Sequence, residues 1–395
     1  MYDFTTTVNR LNQDAEKWVT MRDKNPDVKE NVAPFSIADL DMKNAPEITE
    51  GLKEYLDHAV LGYTKPGKAY LDSVINWMKR RHNWTITASQ IAVSGGIIPA
   101  IHDFVRCYAK EGEGVILLTP VYYPFYSAIR NNNRKTVEVP LLTDGHKYTI
   151  DFDALEKAAK DPNNKLILFS SPHNPVGRVW TKEELYKVGK ICTDNHVVIV
   201  SDEIHFDIIM PGYVHTVFAT VSDEFAHNIV TCTSPSKSFN VAGMLTSAII
   251  FNGDDLKAAF LKQQEKNGFD DLSPLGYKTC EIAYNKCEKW LDNLIALVSY
   301  NYGVLKKYLA EKLPQVKLYP LEGTYLAWMD FSAFGLSAEE LEAFNVREAQ
   351  VFFDEGYVFG KVGSCFERMN IACPTDTMVA ALDRISGKLK EKKII

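Results

Sequence analysis

The sequence predicts a wound α/β fold: a large domain built on a mostly parallel seven-stranded sheet with helices on both faces, followed by a smaller α+β domain. Three observations carry this. Seven short, mostly apolar runs recur at 91–94, 115–118, 134–139, 166–170, 197–201, 228–232 and 247–251. Lacking clean polar/apolar alternation, they fit strands buried on both faces, as in a parallel sheet. Helical patterns separate the runs, and strand–helix repetition at this distance argues for a wound sheet. Beyond residue 256 the pattern changes to helix over 256–313. Short strand candidates follow at 316–319, 325–330, 357–359 and 368–372, with helices around 338–353 and 377–388.

Taken in order, residues 1–45 have no strong period and are expected to pack on the smaller domain. Residues 46–290 form the expected large domain, and residues 291–395 the small one. A helix pattern over 48–61 runs into the turn Gly62-Tyr63-Thr64. The best-marked helix starts at Thr181, where Thr-Lys-Glu-Glu reads as a capping box closed by Glu184. No internal repeat, low-complexity tract or Gly/Ser-rich linker interrupts the chain.

Composition narrows the function. The chain has 395 residues, 46% hydrophobic and 24% charged, and a net charge of −7, values of an ordinary globular protein able to bury a large core without staples. Mild acidity argues against nucleic acid or an anionic membrane as partner. Seven cysteines, an odd number with no C-x-x-C spacing, read as reduced thiols. The first residues show no basic region followed by an apolar stretch, and no apolar run approaches membrane-spanning length. A cytoplasmic location is expected.

Three motifs each follow a predicted strand, at the sheet edge where open α/β sheets bind ligands. In Ser171-Pro172-His173-Asn174-Pro175-Val176-Gly177, two prolines fix the backbone around Asn174, whose amide can donate to a phenolate or carbonyl oxygen. A Pro-rich turn explains it equally well. In Ser201-Asp202-Glu203-Ile204-His205, Asp202 at the strand tip suits a cationic ring nitrogen; a strand-end cap is the plainer reading. If the strand continues, Glu203 and His205 share a face and Asp202 points away, so the three do not converge on a metal, and none is expected. In Thr233-Ser234-Pro235-Ser236-Lys237-Ser238-Phe239-Asn240, hydroxyls flank a lysine, which suits a phosphate beside an amine; a solvated lysine is the ordinary alternative. The ordered set is more specific than any one motif. Two weaker features join it. Gly95, Gly96 and Ile97 lie between a strand and a helix, where backbone N–H groups can approach an anion. Tyr122, after the strand at 115–118, can lie against a flat ring or simply fill the core.

The ordered motifs SPHNPVG, SDEIH and TSPSKSFN resemble the fold-type-I enzymes that use pyridoxal 5′-phosphate, in the class-I/II aminotransferase superfamily. Within it the resemblance is to the C–S lyase branch, the cystathionine β-lyases related to the maltose-regulon modulator. It extends to Ile37-Ala38-Asp39-Leu40-Asp41-Met42, Gly62-Tyr63-Thr64 and Arg368-Met369-Asn370-Ile371-Ala372-Cys373-Pro374. The resemblance implies a Schiff-base role for Lys237, with Asp202 on the pyridine nitrogen, Asn174 and His205 near the ring oxygen and Tyr122 stacked on the ring. It further implies that Gly95, Gly96, Ile97, Ser234 and Ser236 surround the phosphate, and that Arg368, with Asn174, binds the substrate carboxylate. Tyr63 matches a tyrosine that the family's homodimers lend to the neighbouring active site.

Two departures from the general aminotransferase pattern resemble the lyase branch. Leu245 stands where many aminotransferases have a phosphate-binding arginine, and His205 where many have a tyrosine. The expected activity is therefore cleavage of L-cystathionine or related S-substituted cysteines to a thiol, pyruvate and ammonia, with Lys237 moving the α-proton. An aminotransferase is the alternative, and a protein-binding regulator on the same scaffold a further one.

Overall fold

The computed structural model describes residues 2–269 and 271–394. All seven runs expected in the large sheet are strands: β1 (Ile91–Ser94), β2 (Gly114–Thr119), β3 (Lys135–Pro140) and, after a separate hairpin of β4 (Leu142–Thr143) and β5 (Tyr148–Thr149), β6 (Asn164–Ser170), β7 (Val198–Asp202), β8 (Ile229–Thr233) and β9 (Ser247–Phe251). Their order is β1-β9-β8-β7-β6-β2-β3. β9 runs antiparallel to both neighbours, and every other pair is parallel. From β2 the chain steps outward to β3 on one side and to β6, β7 and β8 on the other, so the order reverses between β2 and β6.

Helices fill the connections. α1 (Glu16–Lys24), α2 (Pro46–Leu56) and α3 (Lys68–His82) precede the sheet; α4 (Ile97–Tyr108) and α5 (Pro124–Asn131) follow β1 and β2; α6 (Phe152–Ala159) and α7 (Lys182–Asp194) flank β6. The four-residue α8 (Pro235–Ser238) follows β8, and α9 (Asp254–Lys266) follows β9. Both faces of the sheet are apolar because both are covered. Leu166 and Leu168 pack in one core with Ile101, Phe104 and Phe260, while Ile167 and Phe169 pack in the other with Leu155, Leu185 and Val188. Each such side chain contributes roughly 1.5–3 kcal/mol when fully buried.

α10 (Pro274–Lys286) and α11 (Glu288–Lys312) lead to a second, antiparallel sheet of β10 (Lys317–Leu318), β11 (Leu326–Asp330), β12 (Asp354–Glu355) and β13 (Phe366–Asn370), in the order β10-β11-β13-β12. α12 (Ala338–Ala343) and α13 (Thr375–Glu391) accompany it. Trp18, Met21, Val28 and Val32 of the N-terminal segment pack with Val346 and Phe352 from this part of the chain. The boundary expected at residue 290 falls inside α11.

Local expectations fail where tertiary pairing decides. The apolar stretch 357–359 lies in a 3-10 turn, Gly356–Phe359; the strand beside it is Asp354–Glu355, whose acids hold Arg368 and Lys24. The helix expected over 338–353 passes into a π-helical turn, Phe344–Ala349, and stops at left-handed Gln350. The helix expected over 48–61 ends at Leu56, leaving 57–67 outside regular structure. All seven cysteines are free thiols. Among the described residues no helix is long and apolar enough to cross a membrane.

Candidate active site

The tips of β1, β2, β6, β7 and β8 open into a cavity of about 300 Å³, closed on the far side by residues 37–38 and by Arg368 of β13. A larger hollow of about 630 Å³, bounded by Tyr2, Arg10, Asn44 and Gly243, is lined by Asp39, Leu40 and Met42 of the IADLDM stretch and by Asn240 but by none of the expected catalytic or cofactor-binding residues.

After β1, Gly95, Gly96 and Ile97 line the cavity where α4 begins. Gly96 has φ +135°, a conformation L side chains rarely adopt, so glycine is required there. The first amides of α4 have no partner within the helix and, with its dipole, form a place for an anion. After β2, Tyr122 is half-buried on the cavity wall against Phe125, and the loss of water around it pushes its phenol well above the ordinary range.

Beyond β6, the Ser170 hydroxyl accepts from the Asn174 N–H at 3.1 Å, and His173 reaches the Pro120 carbonyl at 2.8 Å. The Asn174 side chain is thereby aimed inward, and its Oδ1 accepts from Arg368 Nη1 at 2.8 Å. The amide N–H₂ is left as the donor. Asp202 ends β7 and is buried; burial raises its carboxyl to about 7, although the Ile204 N–H and Lys237 favour the anion. A carboxylate so placed gains by meeting a cation.

The motif after β8 divides. Ser236 and Lys237 line the cavity, whereas Ser234 does not. The Ser234 hydroxyl lies 2.7 Å from the Thr246 carbonyl, accepts the Ser236 N–H, and caps α8; as Ncap it faces the strand end and not the ligand space. Lys237 is half-buried, and its Nζ donates to the Ala38 carbonyl at 2.8 Å. Burial lowers the amine to about 8, with Arg368 adding to the effect and Asp39, Asp202 and Asp354 opposing it.

The sidedness expected of the SDEIH motif is reversed. Glu203 turns away, bonded to His215, Ser201 and the Phe218 N–H, while His205 lines the cavity with Asp202. The strand ends at Asp202, so the alternation assumed for a continuing strand does not apply. His205 is uncharged because burial pushes its imidazole well down, and its Nδ1 is buried without a partner. Among the described residues no three His, Cys, Asp or Glu side chains group as metal ligands.

Arg368 is buried, with Nη2 paired to Asp354, its guanidinium 4.7 Å over the Phe359 ring, and Nε unpartnered. Sequence reasoning missed Asp354, Ala38 and Tyr325, whose hydroxyl donates to the Ala38 carbonyl at 2.9 Å. None carries a local signal beyond the IADLDM stretch. Tyr63 is fully exposed on the 57–67 segment and takes no part in its own chain's cavity.

This chain is similar to cystathionine beta-lyase PatB of Bacillus subtilis, 38% identical over 98% of this chain and 100% of that protein. It superposes on the crystal structure of cystalysin from Treponema denticola, which contains a pyridoxal 5′-phosphate cofactor, with a TM-score of 0.97 and 47% identity over 99% of this chain and 100% of that one. It also matches the PLP-bound C-S lyase of Staphylococcus hominis, with a TM-score of 0.90 and 31% identity over 98% of each chain. The family model for aminotransferase class I and II spans residues 30–385, the length that contains every strand tip and side chain of the cavity, and the chain belongs to that family.

Proposed function

We propose that this chain is a pyridoxal 5′-phosphate-dependent carbon–sulfur β-lyase that converts L-cystathionine or a related S-substituted cysteine, with water, to a thiol, pyruvate and ammonia. One observation carries the reading: Asn174 after β6, Asp202 at the end of β7, Lys237 after β8 and Arg368 on β13 meet at one cavity. The cavity's chemistry fits the cofactor. An amine, a buried carboxylate, an amide donor, a glycine-lined helix start and a partnerless His205 nitrogen surround a space whose wall includes Tyr122. When bound, the cofactor supplies a ring that accepts the electrons released as the α-proton leaves.

The chain's own residues do the rest. The Lys237 amine, lowered by burial, takes the α-proton once it is free. Asp202 keeps a proton on the ring nitrogen, because an adjacent anion favours the cationic form. Asn174 donates to the ring oxygen, with His205 beside it. The amides of Gly95, Gly96 and Ile97 and the hydroxyl of Ser236 hold the phosphate, without a guanidinium, since Leu245 occupies the wall there. Arg368 offers a planar fork to the substrate carboxylate.

The same proposal includes a homodimer in which Tyr63 reaches the neighbour's cavity. Its support is the exposed arm itself: Val60, Leu61 and Tyr63 stand outside their own fold, an arrangement that suits cover by a second copy. It also retains the division into a large domain at 46–290 and a small one at 291–395, with residues 1–45 against the latter.

The test is incubation of purified protein with L-cystathionine and no 2-oxo acid. Pyruvate and free thiol are expected together in equal amounts. An aminotransferase would make neither; given a 2-oxo acid it would consume that acid and turn the substrate's amine into a ketone, leaving the carbon–sulfur bond intact.

A further inference from the structure

We propose that Tyr325 tunes the freed Lys237 amine as a base by sharing with it one hydrogen-bond acceptor, the carbonyl oxygen of Ala38. The inference rests on the lyase reading above. Tyr325 stands just before β11 in the second sheet and is fully buried. Its hydroxyl donates to the Ala38 oxygen at 2.9 Å, and Lys237 Nζ donates to the same oxygen at 2.8 Å. A carbonyl has two lone pairs, and these two donors occupy both.

That oxygen is held in place independently of Tyr325. The Asn370 amide donates to the carbonyls on either side, Ile37 at 3.0 Å and Asp39 at 2.7 Å, and Asp354 accepts the Ile37 N–H at 2.9 Å. Ile37 has φ +54°, a strained conformation for a β-branched residue that persists because its surroundings over-determine it. Removing the Tyr325 hydroxyl therefore leaves the acceptor where it is.

The sign of the effect follows. An ammonium gains more from a carbonyl than a neutral amine does, since its hydrogen bond is charge-assisted. A second donor on the same oxygen draws off electron density and weakens that bond, favouring the free base. The groups around the amine set the background: Asp39 on the 37–41 segment, Asp202 at the tip of β7 and Asp354 on β12 favour the ammonium, whereas burial and Arg368 on β13 oppose it. His205, edge-on to the Tyr325 ring at 5.7 Å, is uncharged. Tyr325 acts on the amine without adding charge. It is a positioning residue, acting through Ala38.

Tyr325→Phe removes one oxygen atom and keeps the buried ring. In cofactor-free protein, the rate at which acetic anhydride acetylates Lys237, followed across pH by peptide mass spectrometry, reports the amine's own titration. Its midpoint is expected to rise by roughly half to one pH unit in the variant, the scale of one weakened charge-assisted bond. In cofactor-loaded enzyme the acidic limb of kcat should move the same way, with KM and the visible spectrum of the bound cofactor unchanged. A midpoint that stays or falls overturns the proposal. So does a change in KM or spectrum matching the change in kcat, which marks lost packing. The acetylation measurement needs neither cofactor nor sulfur substrate. A chain lacking lyase activity would fail the cystathionine assay, yet its Lys237 midpoint would still show whether Tyr325 acts on the amine.

Discussion

Two side chains carry opposite electrostatic assignments in one cavity, and each has a measurable consequence. Asp202 is forced toward neutrality by burial, which a cationic ring nitrogen reverses. Asp202→Asn is expected to keep the cofactor, because Lys237 and the α4 amides remain, yet lose about a hundredfold or more of the elimination rate, the scale of a removed electrostatic partner in a buried site. Near-normal turnover would reduce Asp202 to a strand-end cap. Lys237 is displaced the other way, from its ordinary value to about 8. A base must be unprotonated to act, so activity should rise with pH and level off above that value. At pH 7 about one amine in ten is free, against about one in three thousand for an unshifted lysine. A rising limb of kcat centred above pH 10 would mean that burial does not govern this amine. Arg368 shows why a residue's partners matter as much as its identity: Asn174 and Asp354 hold its two terminal nitrogens, so the chain's own side chains orient its guanidinium.

Elements written by local rules are those the sequence makes legible. The box at Thr181 closes as expected, the Glu184 N–H reaching the Thr181 hydroxyl at 3.2 Å and the Thr181 N–H reaching Glu184 at 2.8 Å. Thr181→Ala should lower unfolding free energy by about 1 kcal/mol in urea titration while leaving lyase activity at the parent level, since α7 lies outside the cavity. Loss of several kcal/mol would show that Thr181 does more than cap. The large-sheet strands were legible for a similar reason, since short apolar runs between turn residues have few other uses. β12 was not. Asp354–Glu355 is too short and too acidic to read as a strand, and it forms because β13 lies alongside and Lys24 and Arg368 neutralise it. The apolar neighbour 357–359 drew the expectation instead.

At the scale of the whole molecule the prediction concerns assembly. Tyr63→Phe and Lys237→Ala homodimers should each be impaired, the second almost completely. A two-fold interface repeats every contact, so a mixed dimer in a shared-site assembly has one cavity with both defects and one with neither. When the two variants are unfolded and refolded together, activity should exceed the mean of the parents. Activity equal to that mean, with mixed dimers demonstrated by mass, would show that Tyr63 serves its own chain. α2 ends at Leu56, and the apolar residues that prolonged its expected period to 61 lie on the outside of this chain; cover of that arm by a second copy is what the mixed-dimer experiment tests.

What the sequence by itself determined is local and ordered: the strand–helix alternation, the capped helix, the glycine-led start of α4, and three motifs following their own strands. These depend on residue period and turn chemistry over a few positions, so they are written along the chain. The tertiary structure alone decided which side chains meet. Arg368 and Asn174 lie 194 positions apart, and Ala38 receives Lys237 from α8 and Tyr325 from the residue before β11. The side taken by Glu203 and His205 was likewise decided in space, because side-chain alternation holds only while a strand continues, and where a strand stops is set by its neighbours' pairing.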